Sequence, residues 1–358
     1  MNYRNVVIDD NRTITDAATL TLDIDIADPI SRLNFKFNIA NHGTTPVLIA
    51  HPARAVTKIQ VVDGSHIIQS LSGEQMLSAN YYDRRVSPQS YINGVTGTQS
   101  YFTCGIDFGR WLFDPELALQ PGMYDNLQLK LTYNKALYES SATAMYMTIT
   151  GDIFDEKTVT PQGYLRRYEA TTWTPSGTAV EYVNVPIDWP IRKLLVTGYS
   201  TDKNFRGQVH SFKLSQDGAK KVPFDTNLRT YLGEINANLP PIIEPVIHKG
   251  ATGGEVIYTM PSYEAQYVGL STAAEIESLS SYVADVLTVV SASGVSRVEG
   301  FARGHVPFHT FQIPMGLHDE IEDWFVAGDT KKLELQAKAS TPGTTPVGRL
   351  VMEQLATH

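Results

Sequence analysis

Hydrophobic and polar positions alternate along much of the chain. In TLTLDIDI, Leu20, Leu22, Ile24 and Ile26 alternate with Thr19, Thr21, Asp23 and Asp25. That period of two gives a strand one buried face. LNFKFNI repeats it, with Leu33, Phe35, Phe37 and Ile39 predicted inward and Asn34, Lys36 and Asn38 outward. KIQV, LQLKLTY, AMYMTIT, FKLS and LELQAKA follow suit, and Asp63-Gly64, Asn93-Gly94 and Pro121-Gly122 supply turns between such runs. Few stretches read as helices. One follows Ser72 (SGEQMLSANYY), one follows Asp225 (DTNLRTYLGEI), and one opens at Thr272, where Thr-x-x-Glu ending at Glu275 suits a capping box. The pattern predicts an all-β protein.

The pattern also repeats at long range. IADPISRL (Ile26–Leu33) returns as IDWPIRKL (Ile187–Leu194), 161 residues later. Each is followed by strand patterns, an Asp-Gly turn and a predicted helix; Asp63-Gly64 and Asp217-Gly218 stand 154 apart. CGIDFG and TFQIPMG end at Gly109 and Gly316, 207 apart, and closing strands begin at Leu127 and Leu333, 206 apart. Four pairs in one order mark a duplicated unit. The change of offset means that the second copy carries about 53 extra residues, near Ala237 to Arg303.

We therefore expect residues 1–16 as an N-terminal arm, 17–156 as a first unit and 157–177 as a linker. Residues 178–358 form the second unit, with a loop insertion at about 237–303. Strand-rich units of this size manage their edges by closing into a barrel or by pairing two sheets as a jelly roll. The expected architecture is two tandem jelly rolls, each an eight-stranded β-sandwich. Pro29 and Pro190 fix φ and hold the preceding residue extended, which suits entry to a strand. Ile30, Leu33, Ile191 and Leu194 then face the core.

Composition narrows the partners. A chain of 358 residues with 42% hydrophobic and 19% charged residues has room for two globular domains. Net charge is −9, and basic residues come as doublets (Arg84-Arg85, Arg166-Arg167, Lys220-Lys221, Lys331-Lys332), never as a run. That argues against direct nucleic-acid binding, which concentrates Lys and Arg on one face. The lone Cys104 forbids an internal disulfide framework. No signal peptide is expected at the N-terminus, and no apolar run is long enough to span a bilayer.

Candidate chemistry is sparse, and no catalytic, cofactor or metal site is expected. His305 and His309 are four apart with Pro307 between them; along a strand they stand about 13 Å apart, too far for one zinc ion with bonds of about 2 Å. Asp23, Asp25 and Asp28 could cluster around calcium, but a solvated outer face explains the same alternation. HDEIEDWF (His318 to Phe325) reads as an acidic first helical turn rather than a glycosidase pair. Cys104, beside Tyr101, Phe102 and Ile106, reads as a small core residue. KGATGG (Lys249 to Gly254) lacks phosphate-loop spacing. Gly-x-Ser-x-Gly, His-Glu-x-x-His and Cys-x-x-Cys are missing from the sequence.

With its tandem β repeat, NVPIDWPIRKLLV (Asn184 to Val196) and VTPQGYLRRYEATTW (Val159 to Trp173), the chain resembles the double-jelly-roll major capsid proteins of tectivirus-like icosahedral viruses with an internal membrane. The first motif looks like the opening of a second roll in that family, the other like its inter-roll connection. The resemblance implies a non-catalytic virion protein, made in the host cytoplasm, that trimerises into pseudo-hexagonal capsomers and tiles an icosahedral shell. It also implies contacts with neighbouring capsomers, with minor capsid or vertex proteins and with an underlying membrane. One departure is that Met1 to Asp16 lacks the basic or amphipathic helix that some members direct toward the membrane. The repeat corners (Pro29, Ile30, Leu33, Asp63, Gly64 and Gly109; Pro190, Ile191, Leu194, Asp217, Gly218 and Gly316) become the same structural positions in two rolls. Two other readings stay open. A carbohydrate-binding pair of rolls would use Trp111, Trp173, Trp189 and Trp324 as platforms, and an enzyme would need a carboxylate cluster between the rolls.

Overall fold

The computed structural model describes residues 1–41, 47–249, 255–271, 279–283, 286–289 and 297–357. The first roll contains β1 (Tyr3–Ile14), β2 (Ala18–Asp23), β3 (Ile30–Ala40), β4 (Val56–Asp63) and β5 (His66–Leu71). Helix α1 (Gly73–Arg84), β6 (Ser90–Asn93), β7 (Gln99–Asp107), β8 (Leu127–Tyr133) and β9 (Ala144–Phe154) complete it. The second roll contains β10 (Tyr164–Trp173), β11 (Val180–Val185), β12 (Ile191–Tyr199), β13 (Ser211–Gln216), β14 (Lys221–Asn227) and α2 (Leu228–Asn236). An insertion follows, with β15 (Ile242–Lys249), β16 (Glu255–Tyr258), β17 (Pro261–Ser271), β18 (Leu279–Val283), β19 (Val286–Val289) and β20 (Arg297–Pro307). The second roll closes with β21 (Thr310–Pro314), β22 (Leu333–Lys338) and β23 (Val347–Ala356).

Alternation becomes burial in the strands that carried it. Leu33, Phe35, Phe37 and Ile39 of β3 are buried, while Asn34 and Asn38 are half-buried and Lys36 is exposed. Each roll is two four-stranded sheets of the same order. In the first, β1-β9-β3-β7 faces β2-β8-β4-β5; in the second, β10-β23-β12-β21 faces β11-β22-β13-β14. Two of the irregularities recur in both copies. The register of β1 on β9 shifts between Val7 and Asp9, and that of β10 on β23 between Glu169 and Thr171. The register of β3 shifts between Ile30 and Arg32, and that of β12 between Ile191 and Lys193. Bulges re-aim a strand locally, so the duplication includes the local bends.

Three expectations change. Residues 1–16 are not an arm, because β1 pairs along β9 as the first strand of its roll. Residues 157–177 are not only a linker, because β10 is the equivalent strand of the second roll, paired with β23. In β1 the exposed polar residues of an edge strand hid the pattern, and in β10 the charged residues of a strand paired on both sides did so. The insertion also adds to a sheet: β15, β20 and β17 continue the first roll's sheet beyond β6. The helix expected from Asp225 starts at Leu228, capped by Asn227, whose side chain accepts from the Arg229 amide. The helix expected at Thr272 lies outside the described residues.

The two helices meet different surroundings. Ser72 caps α1 in a reciprocal capping box with Gln75, and ten of its twelve residues are buried. A helix buried all round lies within a core, and α1 is wedged between the rolls. Its Tyr82 hydroxyl donates to the Thr310 carbonyl of β21 (2.7 Å), and its Tyr81 hydroxyl to the Pro240 carbonyl (2.8 Å). α2 buries only Leu228, Tyr231 and Leu232.

Candidate functional site

The chemistry of this molecule concentrates where α1 meets the second roll. β12 runs Ile191–Tyr199 with eight consecutive buried residues, so it is covered on both faces. Ile191, Leu194 and Val196 enter the second roll's core, and Leu195 joins the first roll's. Arg192 and Lys193 also turn toward α1. There Arg192 donates to Asp83 (2.8 Å) and Glu353 (2.6 Å), Arg167 donates to Asp83 (2.8 Å), and Lys193 contacts Asp83. Arg167 also pairs with Glu353 and donates to the Asp107 carbonyl (2.6 Å). All five charged side chains are at most 3% exposed.

Buried charges persist only when paired and hydrogen-bonded. Burial works to raise the Asp83 carboxyl, yet Arg167, Lys193 and Arg192 outweigh it and hold Asp83 well below the usual carboxylate range. The same balance holds Glu353 at about 2. Burial lowers Lys193, against the pull of both carboxylates. His318 lies beside Arg192, its Nε2 accepting at 2.6 Å. Burial, then Lys193 and Arg192, push its imidazole down to about 3, so it is neutral at pH 7.

A second buried pair ties the insertion to the first roll. Nε2 of His51 contacts Oε1 of Glu244 on β15 at 2.7 Å, and both side chains are 1% exposed. Nδ1 of His51 accepts from the Ala53 amide (3.0 Å), and Oε2 of Glu244 accepts from the Met260 amide (2.7 Å). An imidazole that accepts at Nδ1 carries its proton at Nε2.

The repeat residues occupy matching corners. The amide of Phe154 donates to the Pro29 carbonyl (3.0 Å), as that of Leu355 does to Pro190 (2.9 Å). Ile30 exchanges backbone bonds with Leu119 (2.8 and 3.0 Å), as Ile191 does with Phe325 (2.8 and 3.1 Å). Leu33 and Leu194 are fully buried. Asp63 accepts from the Asn126 amide (2.8 Å) and Asp217 from the Lys331 and Lys332 amides (2.9 Å each), while Gly64 and Gly218 follow with φ of 56° and 69°. Gly109 and Gly316 sit where backbone crowds in: a Cβ would meet the Leu117 carbonyl at 2.6 Å in one and collide with the Asp323 carbonyl in the other.

The other candidates scatter. His305 faces Tyr81 (3.4 Å), whereas His309 lies edge-on to Tyr199 and Phe205. Asp23 accepts from Gln128 (2.8 Å), Asp25 is exposed beyond the end of β2, and Asp28 pairs with Arg4 (3.6 Å). Within His318 to Phe325 lies only a short turn, Ile321–Asp323. Cys104 is fully buried, and burial pushes its thiol up to about 12, which removes nucleophilic character. Trp324 is buried and donates to the Leu317 carbonyl (3.0 Å), Trp173 and Trp189 are half-buried, and Trp111 is exposed beneath the Arg110 guanidinium. Most of Lys249 to Gly254 lies outside the described residues. Among the described residues no three His, Cys, Asp or Glu side chains are grouped to hold a metal ion.

The charged junction was missed from sequence, though it left a trace. Arg192-Lys193 inside PIRKLLV and Glu353 inside RLVMEQL place charges within largely apolar stretches. A strand buried on both sides reads that way, and a charge inside one must meet another charge.

The fold is a double jelly roll. It is shared with the STIV MCP, at 12% identity over 99% of this chain and 97% of that one, with a TM-score of 0.63. PBCV-1 VP54, fitted into a reconstruction of the virophage Sputnik, matches over 99% and 93% at 12% identity and a TM-score of 0.58. The major capsid protein P2 from bacteriophage PM2 matches over 99% and 98% at 8% identity and a TM-score of 0.55. No family model and no curated protein matches the sequence.

Proposed function

We infer that this chain is a viral major capsid protein, a non-catalytic tile of the virion. What carries the reading is the duplicated roll held by a buried charged junction. A pair of like units in fixed relative orientation is what a six-cornered capsomer needs from each of three subunits. The likeness to capsid proteins over 99% of the chain supports it. So does the chemistry, since the most demanding polar cluster is spent on joining the rolls. In this reading three chains form a pseudo-hexagonal capsomer, capsomers tile an icosahedral shell, and minor capsid or vertex proteins and an underlying membrane are further partners. No helix among the described residues is long and apolar enough to cross a membrane.

The test is native mass by light scattering over a range of concentrations, followed by electron microscopy of concentrated protein. A mass of three chains that resists dilution, and hexagonal outlines, are the expected result. A single-chain mass at every concentration, together with glycan binding or turnover, would replace the capsid reading.

A further inference from the structure

Among the contacts that join the rolls is a pairing of β5 with β10, and the pseudo-symmetry of the chain leaves the two halves of a second such pairing open among the described residues. Inside the chain, β2-β8-β4-β5 and β10-β23-β12-β21 merge into one eight-stranded sheet through parallel pairing of β5 with β10. Arg167 lies opposite Gln69 and Tyr168 opposite Ser70, and Oε1 of Gln69 accepts from the Arg167 amide (2.7 Å). The equivalent of β5 in the second roll is β14, which also follows an Asp-Gly turn and precedes a capped helix. The equivalent of β10 in the first roll is β1. Asn5 of β1 donates to Asp152 (2.7 Å) where Arg167 of β10 donates to Glu353. Among the described residues, both β14 and β1 end their sheets with open edges, and an open edge is a template for another strand.

The surfaces beside these edges are unfinished in the same sense. α1 is buried between β7 and β4 of its own roll, β20 of the insertion and the outer face of β10-β23-β12-β21; α2, its counterpart, keeps most of its residues out of the core. The matching outer face, on β1-β9-β3-β7, presents Val7 at 60% exposure and the exposed Asn5 and Lys36 among the described residues. A cavity of about 640 Å³ beside the start of α1 has Arg54 and Glu74 on one wall and Tyr199 and Arg349 of the second roll on the other. Beside the start of α2 lies its counterpart, about 530 Å³, lined by Arg206, His210 and Arg229 and walled only by its own roll. On β1, Asp9 is paired with Arg12, while Asp10, which accepts from Thr148 (3.2 Å), is opposite in sign to that basic wall.

We propose that β14 of one copy pairs in parallel with β1 of the next, seating α2 on the outer face of the neighbour's β1-β9-β3-β7 sheet. The inference rests on the trimeric reading above and specifies how its subunits meet. The internal register places Asn5 opposite Phe224 and Val6 opposite Asp225. Pro223 withholds a donor just before that register, which keeps the join as short as its internal template. The contact is head-to-tail, so it forms a ring when the rotation closes and a filament when it does not.

The test is a double-cysteine variant, Val6→Cys with Asp225→Cys, in the full chain, with both single variants as controls. Cys104 is buried and stays out of the exchange. After mild oxidation the double variant is expected to run as a covalent species of three chains on a non-reducing gel, while neither single variant gains one. Native mass is read in parallel. A mass of three chains without the covalent trimer overturns the β14–β1 pairing and leaves the capsomer reading standing. A mass of one chain overturns both. A covalent ladder running beyond three keeps the pairing and overturns ring closure.

Discussion

Asp83 of the first roll lies 2.8 Å from Arg192 of the second, both out of contact with water. Asp83 is the only carboxylate that α1 contributes to three cations, and Glu353 supplies the other from β23. Asp83→Asn keeps the shape and removes the charge, leaving three cations with one carboxylate. Breaking a buried pair from one side costs about 3–5 kcal/mol, so this variant is expected to lose about that much stability in chemical denaturation. A parallel change at exposed Asp225 is expected to cost almost nothing.

The junction also predicts an acid limb to stability. His318 has its folded value pushed down to about 3, against about 6.5 in an unfolded chain. Between those values the unfolded state binds a proton that the folded state does not, so stability falls as pH falls through that window. Its contribution to the slope is at most about 1.4 kcal/mol per pH unit. Glu353 and Asp83, held below their unfolded values, add a further loss as pH drops below about 4. His318→Gln keeps an acceptor for Arg192 and is expected to flatten the limb between pH 6 and about 4. An unchanged slope in melts over that range would count against this role.

The matching corners predict matching costs. Asp63→Ala and Asp217→Ala each remove a side chain that accepts from backbone amides, worth about 1 kcal/mol per bond. Gly109→Ala and Gly316→Ala each drive a methyl into a backbone carbonyl, and overpacking of this kind costs about 1–3 kcal/mol. Gly316, with φ of 143°, is expected to be the worse of the two. Melting temperatures of the four variants check the ordering.

His51→Ala takes the imidazole from the buried Glu244 and leaves it the Met260 amide as hydrogen-bond donor among the described residues. A loss of about 3–5 kcal/mol is expected, with hydrogen exchange rising first in β15 and β20. Glu244→Gln in the same background is expected to restore part of it, since a neutral amide tolerates burial better than an orphaned carboxylate.

The duplicated architecture was legible because its strands alternate cleanly and its turns carry Asp-Gly and Pro at fixed offsets. LNFKFNI needed no tertiary help to be read as β3. β1 and β10 were harder: YRNVVIDDNRTI and YLRRYEATTW carry charge on edge or bridging strands, where pairing rather than periodicity decides the conformation. The join of β5 to β10 is a contact across 98 residues that no local pattern encodes. The charged junction escaped for the same reason. Asp83, Arg167, Arg192 and Glu353 come from four elements, and only the packed helix brings them together.

The order in which the ribosome delivers the junction has its own consequence. Asp83 is made early and the three cations follow, but Glu353 sits on the last strand to emerge, which inserts between β10 and β12 at the middle of their sheet. Until β23 has paired, Asp83 alone faces Arg167, Arg192 and Lys193, and the second carboxylate of the junction is missing. The junction therefore closes only when the second roll has received its middle strand, so the joining of the two rolls waits on the completion of that sheet.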